Sequence, residues 1–208
     1  MKKLSTLALV LGASFFTLNA TADGDAAAGK SKAAVCGACH GVDGNSASPQ
    51  FPKLAGQNAS YIVQQLSDFK SGKRQNPIMS GQAQNLSDQD MQDIAAYFAS
   101  QTRQTGEAAP GLVKQGEQIY RFGIRDAKIP ACLACHSPDG VGNSLMKVPA
   151  LSGQHADYVV AQLQAYASGS RTTDPNKMME TIAARLTPAD MQAVASYIEG
   201  LHATPIAP

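Results

Sequence analysis

The sequence predicts an all-α protein built from two similar domains in tandem. Three observations predict this. A block of about 100 residues occurs twice along the 208-residue chain. Apolar residues within each copy recur at helical spacing, and no run alternates with the period of two expected of a strand. Each copy also carries one Cys-x-x-Cys-His run, so each has its own candidate chemical centre.

The first 22 residues differ in kind from the rest. Met1-Lys2-Lys3 is a short positive start, Leu4 to Leu18 is mostly apolar and uncharged, and Ala20-Thr21-Ala22 gives an A-x-A cleavage site. That is the three-part pattern of a secretory signal peptide. A membrane anchor is the competing reading, but the apolar core is shorter than the roughly 20 residues a span needs. The chain is therefore expected to be exported. Lys2 and Lys3 leave with the leader, so 15 basic residues face 16 acidic ones in residues 23–208, a net charge of −1. Near-neutrality excludes an electrostatic nucleic-acid binder, which carries a basic stripe. Aromatic residues are only 6% and Trp is absent. Ala, Leu and Met, or a bound cofactor, must then fill the core.

The repeat is specific. Phe51-Pro52-Lys53-Leu54-Ala55-Gly56-Gln57 recurs as Val148-Pro149-Ala150-Leu151-Ser152-Gly153-Gln154. Tyr61, Gln65, Leu66, Phe69 and Arg74 recur as Tyr158, Gln162, Leu163, Tyr166 and Arg171 at the same offset of 97. The second copy has three extra residues near Thr172–Asn176, and one more between its Cys motif and Pro149. A period this long exceeds the roughly 20–50 residues of a solenoid and reads as duplicated domains. They are expected at 23–104 and 112–208, with 105–111 as a linker punctuated by Gly and Pro.

Each domain is expected to hold three or four short helices. An opening segment spans Ala26–Val35 in the first copy and Leu112–Tyr120 in the second. A middle helix buries Ile62, Leu66 and Phe69, or Val159, Leu163 and Tyr166. The closing helix starts at Ser87 or Thr187, each an N-cap with Asp three residues on, and Pro188 takes the first helical position, where its missing N–H costs nothing. Gly29 and Gly116 in the opening helices, with Tyr97 and Tyr197 in the closing ones, suggest a notch where two helices cross. His155 and His202 have no sequence partner and are expected at the surface. Domains this small often need a staple.

All four cysteines lie in the pairs Cys36/Cys39 and Cys132/Cys135, followed at once by His40 and His136. C-x-x-C-H is the attachment motif of c-type haem. Positions i and i+3 share one side of a helical turn, so two thiols can add to the two haem vinyl groups while the next residue reaches the iron. A thioredoxin-like pair would need a neighbouring βαβ unit, and a Cys₄ zinc site a spacing of about 15–20. Here 92 residues intervene. Structural disulfides would leave the two histidines to accident.

Met79 and Met179, 39 and 43 residues after their histidines, are the candidate sixth ligands. Met178 rivals Met179, but the repeat, at an offset of 100 in this part of the chain, matches Met179 to Met79; Met146 is a weaker rival without a Met counterpart in the first copy. His/Met ligation is that of electron-carrying cytochromes. Pro52 and Pro149 are expected to offer carbonyls to the second ring nitrogens, as metal-bound histidines require.

The chain resembles the bacterial dihaem cytochrome c4 family: two class I cytochrome c domains, each C-x-x-C-H…P…M. The resemblance covers residues 23–208 and extends to Cys36–Asn45, Phe51–Gln57 and Arg171–Met179. It implies an all-α fold around two covalently bound haem c groups, with the domains facing each other across a pseudo-twofold. It implies a periplasmic one-electron carrier between a cytochrome bc complex as donor and a haem-copper terminal oxidase as acceptor, with possible peripheral membrane association. No small-molecule substrate and no enzymatic activity are implied. A cytochrome subunit of a dehydrogenase is the alternative, and a small dihaem peroxidase a lesser one. Arg121–Ala131, a longer lead-in to the second motif, departs from equality between the copies.

Overall fold

A computed structural model describes residues 24–202. The expected leader, residues 1–22, lies outside them. Among the described residues the elements are helical, apart from two isolated antiparallel bridges, Ile124 with Ile129 and Asn143 with Val148.

The first domain runs α1 (Ala26–Lys32), α2 (Gly37–His40), α3 (Ala59–Lys70), α4 (Pro77–Ala83) and α5 (Asp88–Ala99). The second repeats this as α6 (Val113–Phe122), α7 (Leu133–His136), α8 (Ala156–Ala167), α9 (Met178–Ala183) and α10 (Pro188–Gly200), with a 3-10 turn at Pro175–Lys177. Five helices stand where three or four were expected. The additions are single turns or little more, too short to show a period. Helix α4 forms because Asn76 accepts from the Met79 N–H at 3.0 Å and Pro77 takes the first turn. Both closing helices carry the expected capping box, Ser87 with Asp90 and Thr187 with Asp190.

Opening and closing helices pack together in each domain, and the middle helix packs on the closing one. The crossings sit on the expected glycines. A Cβ on Gly29 would lie 1.9 Å from the Asp93 carbonyl oxygen, and one on Gly116 2.2 Å from that of Ala193. Only a residue without a side chain permits such an approach. The cores that result are separate. One gathers Ile62, Leu66, Met91, Ile94 and Phe98, and the other Ile119, Tyr120, Val159, Leu163, Met191 and Val194.

The domains join through polar side chains related by the duplication. Arg74 donates to Gln65 of its own domain at 2.7 Å, and to Tyr158 and Gln162 of the other at 3.1 and 2.7 Å. Arg171 mirrors this, donating to Gln162 at 2.8 Å and across the seam to Tyr61 and Gln65 at 3.0 and 2.9 Å. Each guanidinium also lies 4.6 Å from an aromatic centroid, Phe69 or Tyr166.

His155 corrects its expected place at the surface. It is buried at this seam, with Nε2 2.9 Å from the Ser46 carbonyl oxygen, which can only accept. Its counterpart Asn58 also faces the other domain, donating to the Val148 carbonyl at 2.8 Å. Both surfaces exist only once the domains dock, which is why neither position signals burial in sequence. His202 is exposed, as expected.

Candidate haem-binding sites

Each Cys-x-x-Cys-His run forms one helical turn, with the first Cys as N-cap residue and His as the last helical position. The turn ends because the next residue adopts positive φ, +81° at Gly41 and +67° at Ser137. The four thiols are free rather than paired as disulfides. Before haem is attached, burial raises the Cys36 thiol above its ordinary range and pushes Cys132 up to about 11. Among the described residues no three His, Cys, Asp or Glu side chains converge on a metal position. The zinc reading therefore finds no support, and the cysteine pairs sit in different domains.

The two imidazoles share one geometry. His40 Nδ1 lies 2.9 Å from the Pro52 carbonyl oxygen, and His136 Nδ1 lies 3.0 Å from that of Pro149. A carbonyl accepts only, so Nδ1 carries the hydrogen and Nε2 is left as the lone-pair nitrogen. Both rings are buried, and burial lowers their basicity against the opposing pull of the carbonyls. Neutral imidazole with one committed nitrogen is the form that binds a metal.

The methionines divide in the same way. Cys36 and Met79 are half-buried against the first core, and Cys132 and Met179 against the second. Met178 is 47% exposed and Met146 63% exposed. Neither rival is packed as its domain's Met79 equivalent. These residues fit a haem per domain: unpaired thiols, a tautomer-fixed imidazole and a thioether beside one apolar core.

The cytochrome c family profile matches residues 26–102 and again 113–202. Cytochrome c4 of Pseudomonas aeruginosa is 54% identical over 202 residues, covering 97% of this chain and 99% of that one. The chain belongs to the cytochrome c4 family. A crystal structure of reduced recombinant cytochrome c4 from Pseudomonas stutzeri superposes with a TM-score of 0.84 at 51% identity, covering 86% of this chain and 100% of that one. A thiosulfate dehydrogenase electron acceptor of Thiomonas intermedia is 40% identical, covering 88% of this chain and 84% of that one. With the family and both motifs in place, two haem c groups are held covalently, one by Cys36 and Cys39 and one by Cys132 and Cys135. The chain is a dihaem electron carrier of the c4 type.

The duplication signalled more than the attachment residues. Gln57, Gln154, Arg74 and Arg171 all recur in the repeat, yet sequence gives them no role. Their shared position at the seam supplies it.

Proposed function

We propose that the protein is a periplasmic one-electron carrier that takes electrons from a quinol-oxidising cytochrome bc complex and passes them to a haem-copper terminal oxidase. His40 and Met79 hold the iron of the first haem, and His136 and Met179 that of the second. The domains divide at 105–111. The observation that carries this reading is the matched pair of buried imidazoles, each with Nδ1 committed to a proline carbonyl.

Bound haem supplies a reversible one-electron Fe(III)/Fe(II) couple. The chain's part is to keep the coordination fixed through that cycle. The Pro52 and Pro149 carbonyls orient the imidazoles. Asn76 fixes the backbone at Met79, and Asp174 does so at Met179. Fixed ligands leave no vacant position for peroxide, which sets the carrier apart from a peroxidase. Two such centres let an electron enter through one domain and leave through the other. No described helix is long and apolar enough to cross a membrane.

Substituting Met79→Ala or Met179→Ala is expected to remove half of the far-red ferric band of Met-ligated haem, while Met178→Ala leaves it whole. A high-spin haem in the unaltered protein, reacting rapidly with peroxide, would overturn the carrier reading. A second donor is favoured by one observation: the resemblance to a thiosulfate dehydrogenase electron acceptor. Reduction by a soluble dehydrogenase of that kind, faster than by quinol-charged membranes, would replace the bc complex as donor.

A further inference from the structure

Two glutamines of the duplicated segment cross the domain seam to the peptide groups that hold the opposite histidines. The amide between Pro52 and Lys53 presents its carbonyl to His40 Nδ1 at 2.9 Å. The N–H of that same amide donates at 2.8 Å to Oε1 of Gln154, in the second domain. Gln154 Nε2 returns a bond to the Lys53 carbonyl at 2.9 Å. The mirror pair is complete. The amide between Pro149 and Ala150 accepts from His136 Nδ1 at 3.0 Å and donates to Gln57 Oε1 at 2.8 Å, and Gln57 Nε2 donates to the Ala150 carbonyl at 3.0 Å. Both glutamines are buried, at 5% and 4% exposure.

We infer that Gln57 and Gln154 are positioning residues that set the reduction potential of the haem in the opposite domain. This rests on the proposed ligation by His40 and His136. An acceptor on an amide N–H draws charge onto the carbonyl of the same amide, and hydrogen bonds in a chain strengthen one another by roughly 10–30% each. The proline carbonyl becomes a better acceptor, and the imidazole it holds becomes a more electron-rich ligand. An electron-rich ligand favours Fe(III), so each glutamine lowers the potential across the seam. The coupling therefore exists only while the domains are docked. It links the electronic state of each site to the integrity of the other domain.

The test uses the haem-loaded full chain with Gln154→Met and Gln57→Met, which keep volume and remove both hydrogen bonds across the seam, along with the bond each Oε1 accepts from the following backbone N–H. Each haem is assigned by contacts of its thioether protons with residues beside Cys36 or Cys132, and both potentials are titrated. Gln154→Met is expected to raise the first-domain potential alone, by a two- to threefold change in the reduction equilibrium, about 20–30 mV at 59 mV per tenfold for one electron. The Lys53 amide and His40 Nδ1 protons should move with it. Gln57→Met should act on the second domain in the same way. Gln154→Glu, a stronger acceptor, should shift the first-domain potential downward, a change of sign that loosened packing does not produce. Equal shifts in both haems, a shift confined to the substituted domain, or no shift would overturn the inference. Failure of the ligand reading shows itself differently, as a wild-type reduced protein with no protected imidazole Nδ1 proton in either domain.

Discussion

At the crossing of α1 and α5, the Lys32 ammonium lies 2.7 Å from Asp90 and 2.6 Å from Asp93. At the equivalent crossing of α6 and α10, Ile119 stands in the place of Lys32 and Ala193 in that of Asp93, and both are buried. Tyr120 likewise replaces Ala33, fills the extra space, and donates to the Ser137 carbonyl at 2.7 Å. In the first domain a hydroxyl from the other helix makes the corresponding contact, Tyr97 to the Val42 carbonyl at 2.7 Å. One crossing carries an ion-pair network, and the other is apolar at those positions, with Gln115 donating to Asp190 at 3.2 Å. The glycine notch and the capped closing helix are common to both. The comparison shows which features the haem fold depends on and which it can exchange.

The largest expected effect tests what is common. Gly29→Ala and Gly116→Ala each drive a methyl into a backbone carbonyl, at 1.9 and 2.2 Å. Each is expected to cost about 3 kcal/mol or more, the top of the overpacking range, because backbone rather than a flexible side chain must move. Thermal unfolding of the haem-loaded variants measures it. A small loss in one domain only would mean that its crossing can shift, and the shared-notch argument would fail there.

A smaller effect tests the residue after each histidine. Ser137 holds φ +67° and ψ +160°, a region nearly confined to glycine, which costs about 1–3 kcal/mol for other residues. Its Oγ compensates by accepting from the Val141 N–H at 3.0 Å. Gly41→Ser places the same side chain in the first domain, where its Cβ would meet the Asn45 carbonyl oxygen at 2.6 Å. A loss of about 1–3 kcal/mol is expected by denaturant titration. An unchanged midpoint would show that the two turns are interchangeable.

The smallest effect appears only in acid. The Lys32 hydrogen bond, with the Asp25 N–H and Gln89, lowers Asp93 to about 2. A carboxylate depressed in the folded state contributes stability above its unfolded value near 4, and that contribution is lost as pH falls through about 2. Amide exchange in α1 and α5 should therefore accelerate between about pH 4 and 2 more than in α6 and α10. Lys32→Met should flatten the difference. Equal acceleration in both domains would remove the ion pair as its cause.

Much of the fold was legible because the duplication supplied an internal control. Ser87 and Thr187, Gly29 and Gly116, Pro52 and Pro149 each occur twice at matching positions, and each pair does the same work in both domains. The short helices α4 and α9 escaped because a turn or two carries no period, whereas α2 and α7 are the helical turns that the Cys-x-x-Cys-His spacing asked for. Helix α4 depends on Asn76 and Pro77, and their message is local capping rather than hydrophobic pattern. Met179 was set apart from Met178 by the repeat, which matches it to Met79, and its packing against the core beside an exposed Met178 agrees with that match.

By itself the sequence determined the chemistry of attachment, the two-domain plan and the helices long enough to show a face. Those properties depend on residues close in the chain, where spacing translates directly into geometry. The tertiary structure alone decided what lies between the domains: His155 buried against Ser46, the exchanged contacts of Arg74 and Arg171, and the reach of Gln57 and Gln154 to the opposite proline amides. Those contacts join residues 84 to 110 positions apart. Their partners are set by how two finished domains dock, and no local spacing encodes that.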